Sequence, residues 1–367
     1  METALPLAGL SVVAIEQAVA APFCTSRLAD AGALVVKIER PEGDFARGYD
    51  DVANGLSSYF VWLNRGKTSV VLDLATDEGK AELARRIAGA DVVVQNLKPG
   101  AFARLGFAPE QLLAKHPRLI ICSISGYGET GPMADRKAYD LLIQAESGLS
   151  SITGGPDMPA RVGISLVDIA TGATAQTAIL EALLARNSTG CGADIRISMF
   201  DVMADWLTVP LLAHEGGKTP TRAGLSHPSI APYGVFETQD GGQWLVSIQS
   251  DREWRRFAAD FIGDARLGDH PDFKTNVVRV ANRKETDALV AAAFAGMTTS
   301  QAEARLLAAD AAFAKVNDMA ALAKHAHLRR ITIDTPAGPI TMPAPAPITV
   351  GSARSYGPVP PLGGSPV

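Results

Sequence analysis

Short apolar runs alternate with amphipathic segments through the first half of the chain. The runs are rich in valine and isoleucine, which predicts buried strands, and they lie at 10–15, 33–38, 68–73, 90–95, 119–124 and 193–198. Segments with helical spacing of apolar residues lie at 21–31, 77–88 and 169–186. Near-continuous apolar strands separated by helices are typical of a parallel sheet that is covered on both faces. We therefore expect a doubly wound α/β domain.

The pattern changes after residue 214. Residues 215–232 are rich in Gly, Pro, Ser and Thr, which predicts a linker or an active-site loop. Two apolar runs around the turn Asp240-Gly241-Gly242 predict a β-hairpin at 235–248, and alanine-rich helices are predicted at 285–314. We expect a large domain at 1–214, a smaller α+β domain at 233–330, and a Pro-rich segment at 331–367 that returns to the large domain.

Composition and charge exclude several classes of protein. With 34 basic and 39 acidic residues the net charge is −5, which argues against a nucleic-acid partner. The three cysteines lie far apart without Cys/His ligand spacing, so neither a metal site nor a disulfide framework is expected. No apolar run approaches the roughly 20 residues that cross a bilayer, and the N-terminus has no signal-peptide pattern. We expect a cytoplasmic protein with no membrane partner.

Two glycine motifs resemble phosphate-binding loops but lack the surrounding structure. The segment from Gly126 to Gly131 matches G-x-G-x-x-G, yet the residues after it predict a loop, not the helix that a dinucleotide site requires. Gly66-Lys67-Thr68 matches the end of a P-loop, but Val61 stands where its first glycine is needed. Neither motif predicts a nucleotide cofactor.

A series of short polar motifs carries the chemistry of this chain. They lie in register over about two hundred residues, at 37–44 (KIERPEGD), 64–69 (NRGKTS), 96–100 (NLKPG), 125–132 (SGYGETGP), 139–148 (YDLLIQAESG), 168–172 (DIATG), 227–228 (HP) and 232–234 (PYG). Their order and spacing closely resemble the family III coenzyme A transferases, which include formyl-CoA and carnitine CoA-transferases. The resemblance covers nearly the whole chain. It implies an α/β fold whose two chains interlock as a homodimer, and CoA transfer between acyl-CoA and free carboxylic acids.

The resemblance also implies a catalytic aspartate. In the family it heads a small-residue helix after a P-x-R-x-G segment, and Asp168 follows such a segment at 159–163. Attack of its carboxylate on a thioester would give a mixed anhydride and then an aspartyl-CoA thioester, which an incoming acid reverses. Tyr139 and Asp140 match a family pair beside this nucleophile. Gly126 and Gly128 are candidate donors to the oxyanion of the tetrahedral intermediates.

CoA is expected as a substrate, with no permanently bound cofactor and no metal. By the resemblance, Arg40, Arg104 and Lys137 contact its phosphates, which suits guanidinium and ammonium groups. Leu72 and Asn96 are expected along the path of the adenine and the pantetheine arm.

Departures from the formyl-transferring members bear on the acid substrate. Val19 stands where those relatives have a glutamine, and residues 223–228 replace their run of glycines. Both differences argue against formate and oxalate and favour C4–C5 dicarboxylates, such as succinate, itaconate, mesaconate or citramalate, with succinyl-CoA as donor. The further candidate substrate residues are Arg47, Arg65, Arg222 and His227. The three arginines are candidates to bind a free distal carboxylate, chosen by sequence position only.

Two other functions remain open at this point. The α-methylacyl-CoA racemases share the implied fold and use a histidine in a Gly-His-Asp segment, where this chain has Ala138-Tyr139-Asp140. A non-catalytic CoA-binding protein would need the cations but not Asp168.

Overall fold

The computed structural model of the protein describes residues 5–351 and 354–364. The start of the predicted large domain (1–4) and parts of the predicted C-terminal segment (352–353 and 365–367) lie outside the described residues. The strands within the described residues are β1 (Ser11–Ile15), β2 (Leu34–Glu39), β3 (Lys67–Val71), β4 (Val92–Gln95), β5 (Ile120–Ser125), β6 (Gly154–Gly155), β7 (Met158–Pro159), β8 (Ala193–Ser198), β9 (Tyr233–Glu237), β10 (Gln243–Ser247), β11 (Ala312–Lys315), β12 (Arg330–Ile333) and β13 (Ile340–Pro343).

Helices occupy most of the connections between these strands. They are α1 (Ala20–Asp30), α2 (Ser58–Asn64), α3 (Asp77–Ala88), α4 (Ala101–Arg104), α5 (Pro109–Lys115), α6 (Asp140–Glu146), α7 (Leu149–Ile152), α8 (Leu166–Thr189), α9 (Met199–Trp206), α10 (Thr208–Glu215), α11 (Asp251–Arg256), α12 (Asn276–Ala281), α13 (Arg283–Ala295), α14 (Thr299–Ala308) and α15 (Met319–Ala323). No helix of the described residues is both long and apolar enough to span a membrane.

The chain divides into two compact units. The first contains the residues up to Leu149, then Arg161–Val209, and then the chain from Arg329 onward. The second contains Ser150–Ala160 and Pro210–Leu328. The short excursion of residues 150–160 into the second unit has no counterpart in the boundaries expected from sequence.

A six-stranded parallel sheet forms the centre of the first unit, as the valine-rich runs predicted. Its strand order is β3-β2-β1-β4-β5-β8. Side chains alternate between its faces, so that Val12 and Val94 join one core cluster while Val13 and Val93 join the other. The order reverses between β1 and β4, and a crevice at the carboxyl ends of such strands is where doubly wound sheets bind ligands.

The long helix α8 packs closely against α1. At their crossing a Cβ on Gly172 would lie 2.4 Å from the carbonyl oxygen of Ala20, so only glycine allows this approach. Gly190 ends α8 in the left-handed conformation, with φ of 73°. The second turn of α8 therefore lies close against the first turn of α1.

The second unit contains a three-stranded antiparallel sheet in the order β11-β10-β9. The predicted hairpin is confirmed as β9 and β10. The prediction of helix up to residue 314 is wrong, because residues 312–315 pair with β10 as β11. Phe313 of β11 packs edge-on against Trp244 at 5.3 Å between ring centroids, and this contact outweighs the helix propensity of the neighbouring alanines.

Candidate active site

A cavity of about 600 Å³ opens in the first unit where β1, β4 and β5 end. Residues that follow each strand line it, at 17–20 after β1, 96–99 after β4 and 124–126 at the end of β5. It therefore occupies the crevice at which the strand order reverses. Asp168, Tyr139 and Asp140, which the sequence predicted to act together, all lie on its wall.

Asp168 is in the first turn of α8 and is partly exposed to the cavity. Burial raises the pKa of Asp168 to about 7, and the nearby charge of Asp140 adds to this effect. Partial burial favours a nucleophilic role for this carboxylate, because less solvent must be removed before it attacks.

Asp140 holds the start of α8. Its Oδ1 accepts hydrogen bonds from the backbone N–H groups of Val167 at 2.7 Å and Asp168 at 3.2 Å. Ser165, at the N-cap position of α8, makes no side-chain capping bond to the described backbone of the helix. Asp140 thus caps α8 from another helix, and its carboxylate contacts the residue that carries the candidate nucleophile.

The predicted CoA residues fall into two adjoining groups. Asn96, Arg104 and Lys137 line the same cavity as Asp168. Arg40 and Leu72 line a neighbouring groove of about 370 Å³. Gln17 and Leu97 border both spaces, so the two lie next to each other at the ends of β1 and β4.

Asn96 also shapes the cavity wall. Its Oδ1 accepts the backbone N–H of Gln17 at 3.0 Å, and its Nδ2 donates to the carbonyl of the same residue at 2.8 Å. Both ends of the amide are therefore engaged by the turn after β1. Contact of Asn96 with CoA remains a prediction, but holding this turn is what the structure shows.

Cations outnumber carboxylates on the cavity wall, five to three. The cations are Lys98, Arg104, Arg136, Lys137 and Arg161, and the carboxylates are Asp135, Asp140 and Asp168. Within residues 5–351 and 354–364, no ion pair joins any of these five cations to a carboxylate. The site is locally positive in an acidic chain, which suits a polyanionic ligand.

Sequence reasoning gave no role to three of these cations. Lys98 and Arg161 lie inside motifs that it quoted, and Arg136 precedes the predicted phosphate contact Lys137. Their proximity to predicted site residues was the available signal.

The two predicted oxyanion glycines differ in their placement. Gly126 lines the cavity, and a Cβ on it would lie 2.1 Å from the Cβ of Ala138, so the two loops meet only because position 126 is glycine. Gly128 is not among the lining residues, and its N–H already donates to Oγ of Ser125 at 3.1 Å. Of the two, the structure brings Gly126 alone to the cavity of the candidate nucleophile.

Of the predicted substrate residues, only Val19 is on the cavity wall of the first unit. Arg65 is buried, where its guanidinium pairs with Asp30. Arg47 forms a two-point ion pair with Glu39, at 2.9 and 2.7 Å, and covers the ring of Phe60. Both guanidinium groups are therefore paired with carboxylates of the protein, and neither arginine lines the cavity of Asp168. A role of either arginine toward the acid substrate stays a prediction.

The other two predicted substrate residues belong to the second unit. Arg222 donates to the backbone carbonyls of Ser151, Gly155 and Pro156, which secures the β6–β7 turn. His227 stacks on Tyr233 with 5.2 Å between ring centroids. Arg222 therefore holds this turn, and its contact with a substrate carboxylate stays a prediction.

A buried ion network lies behind the cavity wall. Lys67 contacts Glu16 at 2.6 Å, and Lys37 contacts Asp44 at 2.8 Å and Glu16 at 3.5 Å, with all four side chains inaccessible to solvent. Burial lowers the pKa of Lys67 to about 8, although Glu16 opposes the shift. Asp44 also accepts the N–H of Ala18, a cavity residue with φ of 65°. The network thus fixes a strained turn of the wall.

Known proteins resemble this chain in both sequence and fold. The CoA-transferase family III model matches residues 7–365. The succinate–glutarate CoA-transferase of Agrobacterium fabrum is 37% identical over 295 residues, 78% of this chain and 73% of that protein. The acetyl-CoA:oxalate CoA-transferase of Acetobacter aceti is 41% identical over 291 residues, 78% of this chain and 74% of that protein. The crystal structure of a CaiB/BaiF family protein from Brucella suis superposes with a TM-score of 0.83 at 33% identity, covering 98% of this chain and 97% of that one. This chain belongs to CoA-transferase family III.

Proposed function

We propose that this protein transfers CoA from succinyl-CoA to a free C4–C5 dicarboxylic acid, with Asp168 as the nucleophile. One observation carries the proposal: a partly buried carboxylate with a raised pKa, in the first turn of α8, borders a cavity whose wall carries five cations. Membership of a CoA-transferase family supplies the reaction class.

The transfer proceeds in four acyl exchanges. A carboxylate oxygen of Asp168 attacks the thioester carbonyl, the C–S bond breaks, and CoA leaves as thiolate from a mixed anhydride. The thiolate attacks the aspartyl carbonyl of the anhydride and releases the donor acid, which leaves an aspartyl-CoA thioester. The acceptor carboxylate then attacks that thioester, its C–S bond breaks, and a second mixed anhydride forms with release of CoA thiolate. The thiolate attacks the acceptor's carbonyl in this anhydride, which gives the new acyl-CoA. Asp168 is regenerated, and no water is consumed.

The cavity wall supports these steps electrostatically. The CoA phosphates and the departing thiolate are anions, and the five cations of the wall face the same space. The adjoining groove lined by Arg40 and Leu72 is proposed to hold the part of CoA that lies beyond this cavity. Arg40 donates to the carbonyl of Gly43 through Nε, and its guanidinium has further N–H donors for a ligand.

The acid acceptor is inferred from the relatives. The names of several relatives specify succinate with glutarate, mesaconate or citramalate, and these favour dicarboxylates here. The acetyl-CoA:oxalate CoA-transferase is also similar, at 41% identity, although Val19 argued against oxalate. An acceptor assay therefore compares glutarate, mesaconate, itaconate, citramalate, oxalate, formate and simple monocarboxylates, with succinyl-CoA as donor. Transfer to monocarboxylates alone would contradict the dicarboxylate assignment and leave the nucleophile untouched.

A trapping experiment tests the nucleophile directly. The protein is mixed with succinyl-CoA, and its intact mass is measured before and after hydroxylamine. We expect CoA attached at Asp168, which hydroxylamine removes, and neither an adduct nor CoA exchange in Asp168→Ala. Asp201→Asn, an exposed carboxylate in the first turn of α9, is the matched control. Lack of any adduct, together with exchange of an α-proton into deuterated water, would favour the racemase.

The active form is proposed to be an interlocked homodimer. Exposed apolar side chains of the first unit support it, since Trp206 and Val209 are 55% and 77% exposed. Light scattering is expected to give twice the chain mass of 38.5 kDa, unchanged on dilution because threaded chains separate only by unfolding. A mass of one chain would contradict the proposal.

A further inference from the structure

A buried glutamine connects Asp140, which caps α8, with the segment that precedes α8. Gln144, in α6, is fully buried. Its Nε2 donates to Oδ2 of Asp140 at 2.6 Å, and its Oε1 accepts the backbone N–H of Val162 at 2.8 Å. The side-chain amide therefore links the carboxylate that caps α8 to the segment that leads into α8.

Both carboxylate oxygens of Asp140 accept hydrogen bonds. Oδ2 receives the Gln144 amide, while Oδ1 receives the N–H groups of Val167 and Asp168. Asp140 and Gln144 thus accept hydrogen bonds from the backbone N–H groups of residues 162, 167 and 168, which lie on both sides of the N-cap of α8. Within the described part of the chain, the side chain of the N-cap residue Ser165 makes no capping bond that could hold the start of α8 in place of Asp140.

The polarity of the contacts allows only one orientation of the amide. Nε2 must face a carboxylate oxygen, and Oε1 must face an N–H, since the reverse would oppose two acceptors on one side and two donors on the other. Buried polar groups without partners are costly, so the surroundings hold the amide in this orientation. Asp140 is fixed in turn.

We propose that Gln144 is a positioning residue for the transfer reaction: it orients Asp140, which sets the first turn of α8 and so the direction in which Asp168 faces the cavity. This inference rests on the proposed role of Asp168 as nucleophile. Gln144 itself touches no reacting atom.

A charge swap tests the proposal. In Asp140→Asn the new amide opposes donors whichever way it turns, because Gln144 presents an N–H on one side and the α8 backbone presents N–H groups on the other. In Gln144→Glu two carboxylates meet. The double variant restores every contact. Its introduced asparagine donates to one oxygen of the introduced glutamate and accepts from the α8 backbone, and the second glutamate oxygen accepts the N–H of Val162.

We expect each single variant, and Gln144→Leu, to lower kcat by about 10- to 100-fold, since small displacements of a nucleophile have effects of this size. KM for succinyl-CoA should change less than about threefold. The double variant should regain most of the loss. The midpoint of its pH–kcat profile should also fall, because the charge that adds to the effect of burial on the pKa of Asp168 has moved away. Gln111→Leu, which removes an exposed glutamine of α5, is the control.

Two results would overturn the positioning role. One is a Gln144→Leu variant with kcat within twofold of the wild type. The other is a double variant that is no more active than Asp140→Asn, with both melting as cooperatively as the wild type. The rate and site of CoA adduct formation are measured in parallel. An adduct at Asp168 in the wild type keeps the proposed function intact whichever way Gln144 behaves, whereas its absence there would mean that the proposed function itself has failed.

Discussion

Replacing Asp168 by asparagine should stabilise the folded protein, and the gain should grow with pH. Asparagine resembles the protonated aspartate in shape and polarity but never ionises. In the wild type, the unfolded chain releases the Asp168 proton near the ordinary pKa of 3.8, whereas the folded protein keeps it until about pH 7. Over that interval the unfolded state becomes favoured as the pH rises, so the wild type loses stability that the variant keeps.

The size of the effect follows from the same two values. Each pH unit between them corresponds to about 1.4 kcal/mol, so the two units from about pH 5 to pH 7 give at most about 2.7 kcal/mol. Asp168 borders an open cavity, and water there screens part of the burial effect. We therefore expect the stability difference to grow by about 1–2 kcal/mol between pH 5 and pH 7, and to level off above it.

Urea denaturation of both proteins at a series of pH values measures this difference. The other titrating groups are shared by the two proteins, so most of their contribution cancels. Asp201→Asn shows what the loss of an exposed first-turn carboxylate does without touching the cavity. A difference for Asp168→Asn that is flat, or that shrinks as the pH rises, would refute the claim that the fold destabilises the charged form of Asp168.

Three further outcomes are expected. The kcat of the wild type should rise as the pH passes about 7, because only the ionised Asp168 attacks, and a pH–rate profile without this rise would argue against the assignment. Lys67→Met should lower the free energy of unfolding by about 3–5 kcal/mol, since Glu16 loses its nearest buried cation, and urea denaturation checks this. Gly126→Ala should raise KM for acyl-CoA by forcing the loop away from Ala138, and Ala138→Gly in the same protein should restore it; steady-state kinetics would show an unchanged KM if the contact were unimportant.

The central sheet was predictable because its inner strands β1, β4 and β5 are buried on both faces. A strand with apolar residues at nearly every position leaves an unmistakable run, as at 92–95 and 120–124. The end of the 285–314 helix prediction failed for the opposite reason. Ala312 and Ala314 have no preference for strands. Their pairing with β10 is supported by the contact of Phe313 with Trp244, which is distant in sequence and so leaves no local pattern.

The candidate site was predictable to the extent that its residues follow strand ends or motifs. Asn96, Tyr139 and Asp168 come together because the fold gathers those positions at one edge. The arginines proposed for the distal carboxylate were chosen by sequence position, which cannot show that Asp30 pairs with Arg65 or that Glu39 pairs with Arg47. Such pairings depend on the folded chain, so only the structure identifies which cations remain available.

The buried ions behind the cavity also bear on how the chain folds. Valine-rich strands such as β1 and β2 could slide past one another with little change in apolar burial, and a slip of one residue would turn each side chain to the opposite face. Glu16, Lys37 and Lys67 follow or belong to β1, β2 and β3, so their charges neutralise one another only in the observed alignment. A slipped pairing would leave a charged side chain without a partner in the interior, and an unpaired buried charge costs several kcal/mol of folding free energy. These charges therefore select a single assembly of the sheet, independently of what the finished site transfers.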